Sequence, residues 1–301
     1  GRGPITGNGR AFFGDPSSMW RLFLIATLVR WDDATDPGEM VAAAEDLLNV
    51  IPQLHSLDSE SSDMRFRIAA ESAQAEVHGA YGEFPLQAIA ALLLHPAMQL
   101  QPLPRSFVDV GSGAGRVLLS LAAMSTWGSI TGIEVSEPLH TLAANAIGEL
   151  ERQGKLPSGL VSSLHAEASD PTAARALHEA DVVFCYSTAF PSPDGLRLPH
   201  LSATLASTLP AGALVITTDK WLVGSCFTFQ DLLTLPGSDG DDDQIQAFLW
   251  TVSGECSEWS DKAAALADIE ARWMGEDACA DRPDACKALM TALGIDDEDE
   301  T

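Results

Sequence analysis

The segment Phe107-Val108-Asp109-Val110-Gly111-Ser112-Gly113-Ala114-Gly115-Arg116 sets three glycines at alternate positions, behind a short apolar run and ahead of the apolar stretch Val117–Met124. A strand, a turn without side chains and a helix start, in that order, bring backbone close to a ligand at a helix N-terminus. A dinucleotide-binding turn would carry its third glycine, or an alanine, three residues after the second, so that helix and strand pack closely. Arg116 stands there instead. The next apolar run ends in Ile133-Glu134, about twenty residues past the glycines, the separation at which one carboxylate reaches two ribose hydroxyls. The plain alternatives are a glycine-rich turn of any α/β protein and an ordinary loop acid; the two features together favour a ligand.

The elements that would position these residues follow from periodicity. From Ser106 onward short apolar runs alternate with helical stretches: Phe107–Val110, Ser129–Glu134, Leu160–His165, Asp181–Tyr186 and Ala213–Thr217, then Ser225–Leu235 and Ile245–Val252. Such alternation predicts a parallel sheet with crossover helices. Between the last two runs lies only the short acidic loop from Pro236 to Asp243, which predicts an antiparallel closing hairpin. The fold class is therefore α/β, a seven-stranded, mostly parallel sheet. Upstream, apolar spacing of three and four predicts helices over Ser17–Trp31, Pro37–Leu54 and Ser62–His78. Tyr81-Gly82-Glu83-Phe84 reads as a turn, and Pro85 opens a helix over Leu86–Leu94. The expected organisation is a disordered lead (1–16), a helical N-terminal region (17–100), a ligand-binding catalytic domain (101–253) and a C-terminal extension (254–301). That extension holds helices at Asp261–Trp273 and Ala285–Leu293 and the acidic tail Asp296–Glu300.

Composition narrows the partners. A chain of 301 residues, 46% hydrophobic, suffices for one large core and a helical addition. Lys+Arg 17 against Asp+Glu 43 gives a formal charge of -26, which disfavours direct DNA binding and favours basic proteins or small molecules. The five cysteines are odd in number and form no CxxC pair, which argues against a zinc site and a complete disulfide framework and fits a reducing compartment; Cys279 and Cys286, seven residues apart, read as free thiols in preference to a disulfide or metal pair. The apolar run Met19–Trp31 is broken by Arg21 and Arg30 and is shorter than the roughly 20 residues of a membrane span. Trp20 and Trp31 read as core residues of the N-terminal helices.

Alternate glycines with an aspartate two residues before the first resemble motif I of class I, Rossmann-like methyltransferases. The resemblance implies S-adenosyl-L-methionine as cofactor and no metal. It implies that Gly111, Ser112, Gly113 and Gly115 pass under the methionine end, that Asp109 holds the turn or the amino acid end, and that Glu134 takes the ribose. Glu167, with Asp170 as the second candidate, falls where such enzymes place an acid for the adenine amino group; a helix cap before Pro171 explains the pair equally well.

Three segments between Val77 and Val252 resemble a narrower group, the seven-strand, non-SET histone-lysine methyltransferases of the disruptor-of-telomeric-silencing family. Ala80-Tyr81-Gly82-Glu83-Phe84 resembles that family's Tyr-Gly-Glu loop, which closes over the methionine end of the cofactor. The glycine turn is similar down to Ser112, and Asp181–Phe190 is similar to the fourth-strand segment whose Asn-rich turn lies beside the lysine channel. The resemblance implies a protein-lysine N-methyltransferase of chromatin, nuclear or cytoplasmic, with a basic protein, a histone foremost, as partner. It places Tyr81, Gly82, Glu83 and Ser187 at the cofactor and Tyr186, Ser187 and Phe190 at the catalytic centre. An aromatic-lined channel would suit the transfer, with Tyr81, Phe190 and Phe248 as candidate walls and Tyr186 and Ser187 as polar guides; simple core or loop packing is the favoured reading of each taken singly. Tyr186 and Ser187 replace the family's asparagines, the closing hairpin offers Phe248 and Trp250, and no long basic tail is read. These departures keep open a methyltransferase for a small molecule or another protein, and a non-catalytic cofactor-binding module.

Overall fold

The computed structural model describes residues 36–55, 59–73, 81–99, 105–192, 195–237 and 244–253. The lead, the helix expected at Ser17–Trp31, the end of the one expected to reach His78 and all expectations for 254–301 lie outside these residues. Helices α1 (Pro37–Leu48), α2 (Ser59–Ala73), α3 (Leu86–Leu94) and α4 (Pro96–Gln99) precede the sheet, with a 3-10 turn (Pro52–Leu54) between the first two. Then follow β1 (Ser106–Val110), α5 (Arg116–Met124), β2 (Ser129–Glu134), α6 (Glu137–Arg152), β3 (Val161–His165), α7 (Pro171–His178) and β4 (Val182–Cys185). A 3-10 turn (Ser187–Ala189), α8 (Pro199–Ala206), β5 (Leu214–Thr218), β6 (Phe227–Pro236) and β7 (Gln244–Val252) complete the described fold. The helices begin where capping chemistry allows: the Asp36 side chain accepts from Gly38 N ahead of α1, and Ser136 accepts from Leu139 N ahead of α6. Prolines occupy the first turns of α1, α6, α7 and α8, where no amide hydrogen is needed.

The sheet runs β3-β2-β1-β4-β5-β7-β6, with the first five strands parallel and β7 antiparallel to both β5 and β6. This is the expected parallel sheet with its closing hairpin. Alternation along the strands builds two cores. Val108, Val110, Val183, Cys185 and Val215 pack with Ala173 and Leu177 of α7 and with Ala203, Leu205 and Ala206 of α8. Phe107, Phe184 and Ile216, one position out of phase, line a small apolar cavity with Ile89, Leu92 and Val117 of α3 and α5. Helix α1 packs on α3 and α5, and α2 on α6, so the N-terminal helices share a core with the sheet. Of the two cysteines among the described residues, Cys185 is free and buried, whereas Cys226 is disulfide-bonded, which departs from the reducing compartment that the cysteine count suggests. No helix among the described residues is long and apolar enough to cross a membrane.

Candidate active site

The strand order reverses between β1 and β4, and in open α/β sheets the crevice outside the carboxyl ends of the strands at such a reversal receives ligands. The glycine turn leaves β1 there, and the Ser187–Ala189 turn leaves β4 there. Gly111 N and Ser112 N both donate to Ile133 O, at 2.8 and 3.1 Å, which folds the turn over the end of β2. Gly113 N donates to Glu134 Oε2 at 2.7 Å, while Glu134 Oε1 accepts from Ser136 N at 2.7 Å. Gly111 and Gly113 have φ +81 and +55, and aromatic rings lie against both: a Cβ at Gly113 would stand 2.8 Å from Tyr81 Cε2, and one at Gly111 3.0 Å from Phe190 Cε1. Left-handed backbone and ring contact each exclude a side chain at these two positions. Tyr81 and Phe190, two sites apart in the sequence reading, thus meet on one turn.

The carboxylates around the turn have different partners. Asp109, on β1, is buried and its pKa is raised well above the ordinary range, by burial first and by the charge of Glu134 second. Burial also raises Glu134, against the opposing pull of its backbone hydrogen bonds. Glu83 lies between two guanidiniums: Arg65 bonds both of its oxygens, Nη2 reaching Oε2 at 2.9 Å, and Arg116 Nε approaches Oε2 at 3.2 Å. The Tyr81 hydroxyl donates to Glu83 Oε1 at 3.1 Å, and burial, then the charge of Glu83, raises the Tyr81 pKa. Gly82 packs against the Tyr186 ring, whose Cε1 is 2.9 Å from where a Cβ would stand. Glu167 is exposed and accepts from Ser169 Oγ at 3.2 Å, and Asp170, at the cap position of α7, accepts from Glu167 N at 3.1 Å.

At the end of β4, Ser187 is fully buried. Its Oγ donates to Thr218 O at 2.7 Å and accepts from Thr218 N at 3.0 Å, and Ser187 N donates to Thr218 Oγ1 at 2.9 Å. The hydroxyl proton expected to guide cofactor or acceptor is given to β5 instead, so Ser187 fixes the turn that carries Tyr186 and Phe190. The Tyr186 ring packs on Phe84 at 5.2 Å. Lys220 Nζ donates to Thr188 O and Phe190 O at 2.7 and 2.6 Å, and Asp219, at φ 58, accepts from Thr188 Oγ1 and Gln246 N. Phe248, weighed as a channel wall against core packing, is 0% exposed on β7 opposite Thr217 and belongs to the core, and Trp250 donates to Thr217 Oγ1 at 3.2 Å. Sequence reasoning missed Arg65 and the Thr218–Lys220 segment. Ser61, Arg65 and Ala69 form one buried stripe at helical spacing, but a serine, an arginine and an alanine announce no apolar face, so only the fold reveals that the Arg65 charge is buried and needs a partner.

S-adenosylmethionine brings an ammonium, a carboxylate, two ribose hydroxyls and an adenine, and the turn has groups to meet them. Ser112 Oγ is buried with no hydrogen-bond partner, Asp109 is a buried acid suited to an ammonium, and Glu134 presents oxygens with acceptor capacity left. Among described residues no cluster of three or more His, Cys, Asp or Glu is placed to hold a metal.

Among solved structures the chain is similar to an RNA methyltransferase from Salinibacter ruber in complex with S-adenosyl-L-homocysteine (17% identity, 58% of this chain and 95% of that one, TM-score 0.39). It is also similar to the putative methyltransferase yhhF from Escherichia coli (15% identity, 58% and 90%, TM-score 0.40) and to Aeropyrum pernix fibrillarin with natively bound S-adenosyl-L-methionine (11% identity, 49% and 66%, TM-score 0.35). No curated protein matches the chain by sequence. The model of the family described as Histone methylation protein DOT1 matches residues 71–222. That stretch runs through the Tyr81 loop, the glycine turn, Glu134 and the Tyr186–Phe190 turn, and stops before the closing hairpin. With half of the chain and each of those site segments inside the match, the chain belongs to the DOT1 histone methylation family and is an S-adenosylmethionine-dependent methyltransferase.

Proposed function

We propose that this methyltransferase acts on a lysine amine of a histone. The observation that carries the reading is the glycine turn at the β1/β4 reversal, with Tyr81 on Gly113 and Phe190 on Gly111, inside the segment that matches a histone methylation family. The sulfonium of the bound cofactor supplies a methyl group already activated for transfer. What remains for the protein is to bind, align and exclude water, holding the acceptor nitrogen in line at about 3–3.5 Å. In this reading Asp109 and Ser112 take the methionine end with Gly111, Gly113 and Gly115 beneath it, Glu134 takes the ribose, and Glu167 the adenine edge. Tyr81 roofs the site, Gly82 and Glu83 set that roof, Tyr186 and Phe190 wall the acceptor's approach, and Ser187 holds their turn. The helices before residue 100 supply the closing loop to the catalytic domain over 101–253.

Purified chain incubated with radiolabelled S-adenosylmethionine is expected to label lysine in free histones, and Gly113→Arg, which forces a side chain into the Tyr81 ring, to abolish both labelling and cofactor binding. Labelling of another protein or a small molecule, with histones left unlabelled, would replace the histone reading.

A further inference from the structure

Arg65 lies on α2, upstream of the residues matched by the family model. It heads the largest fully buried side chains among the described residues, at 0% exposure. Three of its nitrogens are engaged: Nε and Nη2 on the two oxygens of Glu83, and Nη1 on Gln53 O at 2.7 Å. Burying a guanidinium is costly unless its donors are met, and apolar packing would stabilise a helix contact as well. What an apolar residue would not do is grip Glu83. That carboxylate also accepts from the Tyr81 hydroxyl and pairs with Arg116, the first residue of α5 directly behind the glycine turn, whose Nη1 donates to Leu54 O at 2.8 Å. The Tyr81 ring packs edge-on against Phe66, next to Arg65 on α2, at 5.1 Å. One carboxylate therefore ties α2, the Tyr81 loop and the start of α5 together, and the ring it orients lies on Gly113.

We propose that Arg65 is a positioning residue for the cofactor site, acting through Glu83 to hold the Tyr81 ring over the glycine turn and so coupling the N-terminal helices to cofactor binding. The proposal rests on the glycine turn being that site. Replacing Arg65 leaves Arg116 as the remaining cation on Glu83, so the carboxylate that bonds the Tyr81 hydroxyl is no longer fixed to α2 and the ring is freed to leave Gly113; bound cofactor loses its roof while the groups that align the acceptor stay in place. Affinity falls and turnover at saturating cofactor is kept.

Calorimetry with S-adenosylhomocysteine tests this on Arg65→Met, Arg65→Lys and, as a control of general destabilisation, Leu205→Ala on the opposite core. Arg65→Met is expected to weaken binding by roughly 10- to 100-fold, the range for losing a bidentate charged pair, with kcat within about 3-fold of wild type. Lysine keeps the charge without the fork and is expected to fall between. Leu205→Ala is expected to lower the melting temperature yet bind normally. Hydrogen exchange adds an independent reading: the product should protect α2 amides in wild type and not in Arg65→Met. Folded Arg65→Met that binds within 2-fold of wild type overturns the positioning role and leaves the site intact. Should that variant not fold, equal binding by Arg65→Lys and wild type overturns it. A wild-type chain that does not bind S-adenosylhomocysteine overturns the cofactor site and this proposal together.

Discussion

At the residue scale, Asp109 and Glu134 carry a pH dependence whose sign is fixed by burial. Both are acids with folded-state pKa values above their unfolded ones, so the fold binds their protons more tightly than the open chain does. Their contribution to stability is full below the ordinary carboxylate range, near 4, and is lost as pH rises through the raised values. The ligand-free protein is therefore expected to melt lower as pH climbs out of that range, and Asp109→Asn to flatten the profile. An ammonium beside Asp109 favours its ionised form, so at a pH between the ordinary carboxylate range and the raised value, where the ligand-free Asp109 holds its proton, cofactor binding should release it. Calorimetry of S-adenosylhomocysteine in two buffers of different ionisation heat should show that release in wild type and not in Asp109→Asn; identical apparent enthalpies in wild type would remove Asp109 from the methionine end. Glu134 serves the ligand and the turn at once, since Gly113 N and Ser136 N both depend on it. Glu134→Ala is expected to lose about 2–3 kcal/mol of cofactor binding, the scale of hydrogen bonds to a charged group, in a chain that still folds by circular dichroism. Normal binding by that variant would return Glu134 to bracing the turn.

At the element scale, β4 and β5 are held in register past their last ladder bonds by Ser187 and Thr218, which exchange three hydrogen bonds in a buried place. Ser187→Ala strands Thr218 N and O without their side-chain partner, a loss of about 1–3 kcal/mol measurable by urea unfolding, while cofactor affinity changes little. A large loss of affinity with unchanged stability would put the Ser187 hydroxyl back in the site. The strands themselves were legible because each is a short, nearly continuous apolar run bounded by turn residues, and Ser129–Glu134 and Leu86–Leu94 coincide with the observed β2 and α3. Helices α6, α7 and α8 were subsumed in the alternation without bounds of their own, although Ser136, Pro138, Pro171 and Pro199 mark their starts. The glycine turn was legible because its requirement is local: φ and close approach exclude side chains at set positions. Glu83 with Arg65 and Ser187 with Thr218 are 18 and 31 residues apart, and no spacing rule announces pairs made by topology. The choice for Phe248 between channel wall and core packing was open for the same reason, since its place on β7 opposite Thr217, in the core, comes from the topology and not from any spacing.

At the scale of the whole molecule, the charge of -26 and the acceptor chemistry make a joint prediction. Among the described residues Arg65, Arg105 and Arg116 are spent inside the fold, on Glu83, on Met98 O and the Trp127 ring, and on Leu54 O, so they add little positive field outside it. A basic substrate is then steered toward the enzyme, and steering weakens as salt screens it over a Debye length of roughly 10 Å at 0.1 M. Free core histones should be methylated fastest at low salt, with initial rate falling as salt rises. A nucleosome offers the same tails beside DNA phosphates, which repel an acidic surface, so its methylation by the isolated chain should be slower or should need a partner that supplies positive charge. The measurement is initial rate against salt for free histones and for reconstituted nucleosomes, with Tyr81→Ala to show that the signal comes from the cofactor site. A local fault in the site would scale both substrates alike, whereas the electrostatic argument separates them and predicts that their rates converge as salt rises. Efficient, salt-tolerant methylation of nucleosomes would show that a local basic patch, not the net charge, governs the encounter.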